Sequence, residues 1–309
     1  MSDTFRIASA QAAPLKAELL KTNTPLEEFR QEIATIVEAN PGTQMVVFPE
    51  LHLVSVDHLP RDEQRQATED CAIALGISPA GVPTGHIADP LVEQLGALAR
   101  EFGVWLIPGS LCERGSGGEL YNTALVYSPA GELVTTYRKI FPWRPFEPHI
   151  PGSDFVVFDV PGAGRFGITI CYDSWFPEVT RHLAWMGAEV VLNIVKTTSP
   201  DRFQELVLAR ANSIVNQTFT LSINCAGPIG MGRSILVDPE GGVLYESADA
   251  DPTLLVVDLD ISHVARVRTQ GTAGTNRMWE QFREGDATLE LPLYAGRIDP
   301  ATWRVAPLA

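Results

Sequence analysis

The stretch that most constrains this chain is Gly167-Ile168-Thr169-Ile170-Cys171-Tyr172-Asp173-Ser174-Trp175-Phe176-Pro177-Glu178. β-Branched Ile168 and Ile170 read as the end of a strand, which stops at a cysteine. Pro177 then suits the first turn of a helix, and Glu178 favours the positive end of its dipole. A strand running through a short turn into a helix is the unit from which α/β layers are built. A cysteine at that junction is held rigidly and can see backbone N–H groups, where a thiolate and an oxyanion are both stabilised. Free cysteine is also among the most buried residue types, so Cys171 alone does not define a site.

The same alternation runs along the chain. A first strand over 5–10 precedes a helix opened by Thr24-Pro25-Leu26-Glu27, with Leu26, Phe29, Ile33, Ile36 and Val37 as its apolar face. Asn40-Pro41-Gly42 ends it, and the apolar run Met45-Val46-Val47-Phe48 reads as a strand buried on both faces. Residues 57–88 read as a helix-and-loop excursion near a site mouth, with Pro79, Gly81, Pro83 and Gly85 close together. Asp89-Pro90 opens another helix with Leu91, Leu95, Leu98 and Phe102 inward and Gly103 as its stop; 104–108 is the next strand. Ser128-Pro129-Ala130-Gly131 joins hairpin strands 120–127 and 133–137. Pro142, Pro145 and Pro148 make 137–148 a stiff loop. Strands follow at 154–160, 166–171 and 189–195, with a helix from Pro177 to Gly187 between the last two. The segment 201–216 reads as a helix on the spacing of Phe203, Leu206, Val207, Arg210 and Ile214, and strands close the body at 219–224, 234–237, 243–245 and 254–259. The expected sheets are mixed, with helices on the outer faces.

Length and composition bound the rest. With 309 residues, 45% of them hydrophobic, the chain can bury a large core. A formal net charge of −15 gives no electrostatic case for nucleic acid or an anionic membrane as partner. Cys71, Cys112, Cys171 and Cys225 form no close pair, which argues against a redox dithiol or a zinc knuckle. No basic start, long apolar leader or membrane-length run is seen, so a cytoplasmic protein with free thiols is expected. Neither linker nor repeat divides 1–309: one domain is expected, its core about 5–262, with 263–309 a polar C-terminal arm that packs on the body or on a neighbouring subunit.

Three polar residues fall where strands end: Glu50, Lys139 and Cys171. Strand ends on one edge of an α/β sheet converge in space. Together a thiol, a carboxylate and an ammonium supply nucleophile, general base and oxyanion cation for acyl transfer. Each also has a plainer reading, as packing thiol, paired acid or solvated base. His52, near Glu50, either lines the pocket or is an exposed loop histidine.

Phe48-Pro49-Glu50, Tyr137-Arg138-Lys139 and Ile170-Cys171-Tyr172-Asp173 with Phe176-Pro177-Glu178, in this order and spacing, resemble the three signature segments of the nitrilase superfamily of carbon–nitrogen hydrolases. Gly232-Arg233-Ser234-Ile235-Leu236-Val237-Asp238-Pro239-Glu240-Gly241 adds to the match, which runs from Ile7 to about Ile261. The resemblance implies a four-layer α-β-β-α sandwich, with Glu50 as general base, Lys139 as oxyanion cation and Cys171 as nucleophile. Phe141-Pro142-Trp143-Arg144-Pro145-Phe146-Glu147 with Pro151-Gly152 resembles the Pro-Trp loop of the amidase and formamidase branches, which places Glu147 in the site as a second glutamate. A carboxylate close to Glu50 is expected to raise one pKa of the pair and keep a proton available. Asp173, Glu178, Arg210 and Asn216 are assigned to the scaffold, Asp173 and Arg210 as structural partners. Trp143, Tyr172 and Trp175 are candidate pocket walls. Lys196, in the departure Val195-Lys196-Thr197, is either a binder of a substrate carboxylate or a solvated lysine.

Cys-Tyr-Asp at the nucleophile, where nitrilases proper carry Cys-Trp-Glu, points to an amide: hydrolysis through a cysteine thioester to acid and ammonia, with no metal or organic cofactor. The rival readings are an N-carbamoyl-amide hydrolase or a nitrilase, an amide-binding protein on a retired hydrolase scaffold, and a thiol-redox protein. The resemblance also implies a homodimer or higher homo-oligomer, paired through the helix after the nucleophile and the 201–216 helix.

Overall fold

The computed structural model describes residues 4–16, 24–76, 88–291 and 293–297. Strands β1 (Thr4–Gln11), β2 (Met45–Val47) and β3 (Trp105–Ile107) run parallel to one another. β4 (Ser110–Arg114), β5 (Leu120–Tyr127) and β6 (Leu133–Arg138) extend this first sheet as an antiparallel meander, β5 pairing with both neighbours and with β3. The second sheet holds β7 (Val157–Val160), β8 (Gly164–Ile170), β9 (Val190–Val195), β10 (Phe219–Asn224), β11 (Ile235–Val237) and β12 (Val243–Glu246) in sequence order, with only β8, β9 and β10 parallel. The chain then returns as β13 (Thr253–Asp260), antiparallel to β1 over its whole length, and closes the edge of the first sheet.

Each crossover between parallel strands supplies a covering helix. On the first sheet, α1 (Thr24–Ala39) links β1 to β2, and α3 (Pro90–Phe102) leads into β3 after α2 (Arg61–Cys71). On the second, α4 (Pro177–Trp185) and α5 (Arg202–Asn216) link β8, β9 and β10. The core divides accordingly. Met45, Val47, Ile107, Phe166, Ile168, Leu192 and Leu221 meet between the sheets, while Phe29, Ile33, Val46, Leu95 and Leu106 fill the space under α1 and α3. Leu206 and Ala209 of α5 pack on Ile235 and Val237, and Leu183 of α4 packs near Val191. This is the expected α-β-β-α layering.

Local signals act as expected at several boundaries. Asp89 accepts the Leu91 N–H at 2.9 Å, and Gly103, at φ 64°, stops α3. Pro177 opens α4 at its first turn. The expected excursion contains α2; the loop expected over Pro79–Gly85 falls within 77–87, and the expected Thr24 cap rests on a side chain, both outside the described residues.

The differences have physical causes. β4, absent from the sequence reading, is short and ends in Glu113 and Arg114, yet every residue up to Glu113 is buried because β5 covers it. The α5 row Phe203, Val207, Arg210 and Ile214 faces outward, and the inward face carries Arg202, Glu205, Asn212, Ser213 and Asn216. The residues after 262 begin as α6 (Ser262–Gln270), whose Val264 is fully buried in the inter-sheet core, so any arm starts beyond that helix. Further on, Trp279 packs on the body beside Trp185 and Arg181 of α4.

Candidate active site

β2, β6 and β8 deliver the three strand-end residues. Glu50 follows β2 through Phe48-Pro49 and is 3% exposed. The chain turns sharply behind it, with Leu51 at φ 52°, and Gly109 lies so close that a Cβ there would sit 2.0 Å from the Pro49 carbonyl oxygen. Lys139 follows β6, and its N–H donates to the Asn122 carbonyl at 2.8 Å. That register puts the Asn122 side chain beside the lysine. Asn122 Nδ2 donates to Glu50 Oε1 at 2.7 Å, and Lys139 Nζ donates to the same oxygen at 2.9 Å.

The proline-rich loop returns to the same lysine. Glu147 Oε1 accepts from Lys139 Nζ at 2.5 Å and from the Trp143 N–H at 3.2 Å. Its other oxygen lies 3.3 Å from His149 Nδ1, and His149 Nε2 lies 3.5 Å from Cys112 Sγ. The loop is pinned at its far end, where Gly152 N–H donates to the Lys139 carbonyl at 2.8 Å and a Cβ would strike the Arg138 carbonyl oxygen at 2.3 Å. At its near end Phe141 stacks on Phe176, ring centroids 3.6 Å apart, which ties the loop to the segment after the cysteine.

Cys171 is partly buried and takes the left-handed φ of 48°, at the head of a short 3₁₀ turn over Cys171–Trp175. N–H groups of a first helical turn have no partner within the helix and are open to an oxyanion. Asp173, fully buried, holds this turn in place by accepting from Tyr137 OH at 2.7 Å, Phe141 N–H at 2.8 Å and Ile170 N–H at 3.0 Å.

The charges are tightly coupled. Burial alone would lower the proton affinity of Lys139, but Glu50 and Glu147 push it well above the ordinary lysine value. Burial likewise raises Glu147, yet Lys139 and His149 overrule it and bring its pKa to about 2. Glu147 is therefore not a member of the pair that keeps a proton: the lysine stands between the two acids, and Glu147 is ionised. Burial, then Glu50, pushes the Cys171 thiol well above its usual range, with Lys139 acting the other way. Asp173 is pushed up to about 6 by burial, against the pull of its hydrogen-bond donors and Lys139.

Next to the sulfur also stands a cluster that sequence reading missed. Thr197 follows β9, and its Oγ1 lies 3.7 Å from Cys171 Sγ. Both carboxylate oxygens of Glu205 lie 2.8 Å from the same hydroxyl. Arg202, 2% exposed, donates to Glu205 at 2.9 Å and to Ser222 Oγ and the Ser222, Gly232 and Arg233 carbonyls. An arginine and a glutamate three apart on a helix signal a possible pair, but not a buried one.

The remaining candidates divide. Trp143 stands on the loop against Phe146, and Tyr172 faces Trp175, all partly buried or exposed around the site. Trp175 also points its Nε1 at Glu205, 3.4 Å away. Lys196 is neither solvated nor free for a substrate carboxylate, because it is paired with Asp57 and its side chain is 9% exposed. His52 is neither exposed nor in the site: it is fully buried, stacked on Phe48 and bonded to Glu32 at 2.8 Å. Arg210 donates to the Gly241 carbonyl at 3.1 Å, so it is not the partner of Asp173; Tyr137 is.

This arrangement on this fold defines a class, and comparison with known proteins agrees. The carbon-nitrogen hydrolase family model matches residues 6–269, and the chain belongs to that family. A formamidase of Bacillus cereus is 33% identical over 212 residues, 66% of this chain and 58% of the formamidase, so the chain spans little over half the length of the curated relatives it matches. Among solved structures, a variant of the amidase from Nesterenkonia sp. AN1, with the acetamide moiety of fluoroacetamide added covalently at its active-site cysteine, superposes with a TM-score of 0.67 at 25% identity, over 85% of this chain and 92% of that one. The Saccharomyces cerevisiae member of branch 10 of the nitrilase superfamily shares the fold at a TM-score of 0.72 and 23% identity, over 87% and 94%.

Proposed function

We propose that the protein is an amidase, hydrolysing a small linear amide to a carboxylic acid and ammonia through a thioester on Cys171. The observation that carries this reading is Lys139 bridging Glu50 and Glu147 beside a thiol held at the end of β8. In the first step the sulfur attacks the amide carbon while the S–H proton passes to Glu50. A thiol whose proton is held this firmly needs such a base in the same step. The carbonyl oxygen becomes an oxyanion against Lys139 and the N–H groups of the turn after the cysteine. Glu50 returns the proton to the nitrogen, the C–N bond breaks and ammonia leaves. Water then gives a proton to Glu50 and its oxygen to the acyl carbon; the C–S bond breaks, Glu50 returns the proton to the sulfur, and the acid leaves. Glu147, ionised throughout, orients Lys139 and accepts from the amide NH2. No step calls for a metal or an organic cofactor.

The formamidase relative and the acetamide adduct on the Nesterenkonia cysteine support an amide as substrate and the cysteine as the acyl carrier. Ammonia release is the test, over short amides, N-carbamoyl amino acids and nitriles. Wild type should act on short amides and Cys171→Ala on none. Release from nitriles alone would overturn the amidase reading, and carbon dioxide formed with the ammonia would move it to an N-carbamoyl hydrolase.

The same reading places the protein in the cytoplasm as a homo-oligomer. No two of the four cysteines lie close in sequence, which supports a reducing compartment. Trp185 of α4 and Phe203 and Val207 of α5 are 76%, 62% and 64% exposed, more apolar surface than a helix face left in water carries. A second copy seated on α4 and α5 would cover them; light scattering should give at least a dimer at micromolar concentration.

A further inference from the structure

The hydroxyl of Thr197 carries one hydrogen and can accept through its lone pairs. Both oxygens of Glu205 lie 2.8 Å from it, and Glu205 is itself held by Arg202 at 2.9 Å and Trp175 Nε1 at 3.4 Å. A carboxylate paired with a guanidinium only accepts, so the threonine's hydrogen is committed to Glu205. What Oγ1 then offers the sulfur at 3.7 Å is a lone pair. Only a protonated sulfur can fill that contact, as an S–H donor; a thiolate there would face electron density. The backbone that carries the hydroxyl is held in place. Thr197 N–H donates to Asn224 Oδ1 at 2.8 Å, and Asn224 Nδ2 donates back to the Thr197 carbonyl at 3.3 Å.

The contact therefore has a direction. The base Glu50 stands on the first sheet, whereas Thr197 stands at the end of β9 on the second. We propose that Thr197, polarised by the Arg202-bound Glu205, is a positioning residue that holds the Cys171 proton and keeps the sulfur a thiol until a substrate carbonyl occupies the site. The inference rests on the reading of Cys171 as nucleophile. On attack the S–H turns from Thr197 to Glu50, which takes the proton as the S–C bond forms. Between turnovers the sulfur is guarded against electrophiles that lack the substrate's shape. The charged groups that act on the sulfur are Glu50, Glu147 and Glu205 on the acidic side and Lys139 on the basic side. Of these, Glu205 reaches it through Thr197.

The test is the pH profile of Cys171 modification in the full chain by methyl methanethiosulfonate, which resembles no amide. The other three cysteines are buried, and Cys171→Ala gives the background. A hydrogen bond to the neutral form of a group disfavours its ionised form. Thr197→Val should therefore react about 3- to 10-fold faster at neutral pH, the range expected for one lost hydrogen bond, with its midpoint moved down. Thr197→Ser should restore the wild-type rate and midpoint. Glu205→Gln is the second variant: its amide can donate to Thr197 Oγ1, freeing the hydroxyl hydrogen to turn toward the sulfur, and the midpoint should again fall. An unchanged or raised midpoint in Thr197→Val overturns the inference, as does a serine variant that behaves like valine. Ammonia release by Cys171→Ala is scored separately. If that variant still hydrolyses amides, the nucleophile reading fails while the modification profile still decides what Thr197 does.

Discussion

Two buried ionic clusters flank Cys171, and they are built in opposite senses. On the first sheet one cation serves two anions: Lys139 bridges Glu50 and Glu147. On the second sheet one anion serves several donors: Glu205 takes Thr197, Arg202 and Trp175. The lysine cluster keeps capacity in hand, since Asn122 Oδ1 has no protein partner and a carboxylate, a thiol and an ammonium can all exchange protons or bonds. The glutamate cluster is closed. Arg202 has every nitrogen engaged, largely by backbone carbonyls. The contrast separates a group of charges that can react from a group that fixes where the reaction happens, although the cation of each is almost fully buried.

The comparison can be broken from either side. The largest expected effect is on the reactive side. Lys139→Met leaves two buried carboxylates without their cation and removes the charge that meets the oxyanion. We expect kcat for ammonia release to fall by about 10³-fold, in line with the loss of a preorganised oxyanion partner. On the closed side, Arg202→Met should register first as stability, a loss on the order of 3–5 kcal/mol read from the urea midpoint, because it leaves Glu205 buried and unpaired. If Arg202→Met instead cost activity without stability, the division between the clusters would be wrong.

A smaller effect sharpens the lysine side. Glu147 has its pKa lowered from 4.5 to about 2. Its ionised form is favoured in the folded state, so it contributes stability that is fully present above about pH 4.5 and is lost as pH falls toward 2. The amount is on the order of 3 kcal/mol by linkage. Asp173, raised to about 6, acts with the opposite sign: it favours the fold below the ordinary aspartate range and loses that contribution as pH rises through 6. Acid unfolding of Glu147→Gln against wild type isolates the first. The variant should be the less acid-sensitive of the two below pH 4.

How much of this was legible follows the same division. Glu50, Lys139 and Cys171 could be read because each ends a run of apolar or β-forming residues, and a polar group at such a point stands out. The layers could be read because buried strands such as Met45–Val47 and Val190–Val195 are continuously apolar. The Thr197 cluster could not. Apart from Leu206 and Ala209 the inner face of α5 is polar, while Phe203, Val207 and Ile214 point to the surface, so hydrophobic spacing is a poor guide to burial there. His52 misled for a related reason: its burial depends on Glu32 of α1, twenty residues earlier, and no local pattern announces such a partner. Lys196 likewise met Asp57 from a distant loop.

The left-handed backbone at Cys171 carries a consequence for descent. An L-residue in that conformation costs roughly 1–2 kcal/mol, and glycine there costs little. Replacing the cysteine by glycine would thus relieve the fold while ending its chemistry, whereas replacing it by alanine or serine keeps the tension. Copies of this gene released from selection for hydrolysis would have an energetic slope toward glycine at position 171. A lineage that keeps cysteine there does so against that slope, and an alanine variant, still tense, is the better stand-in for the working site.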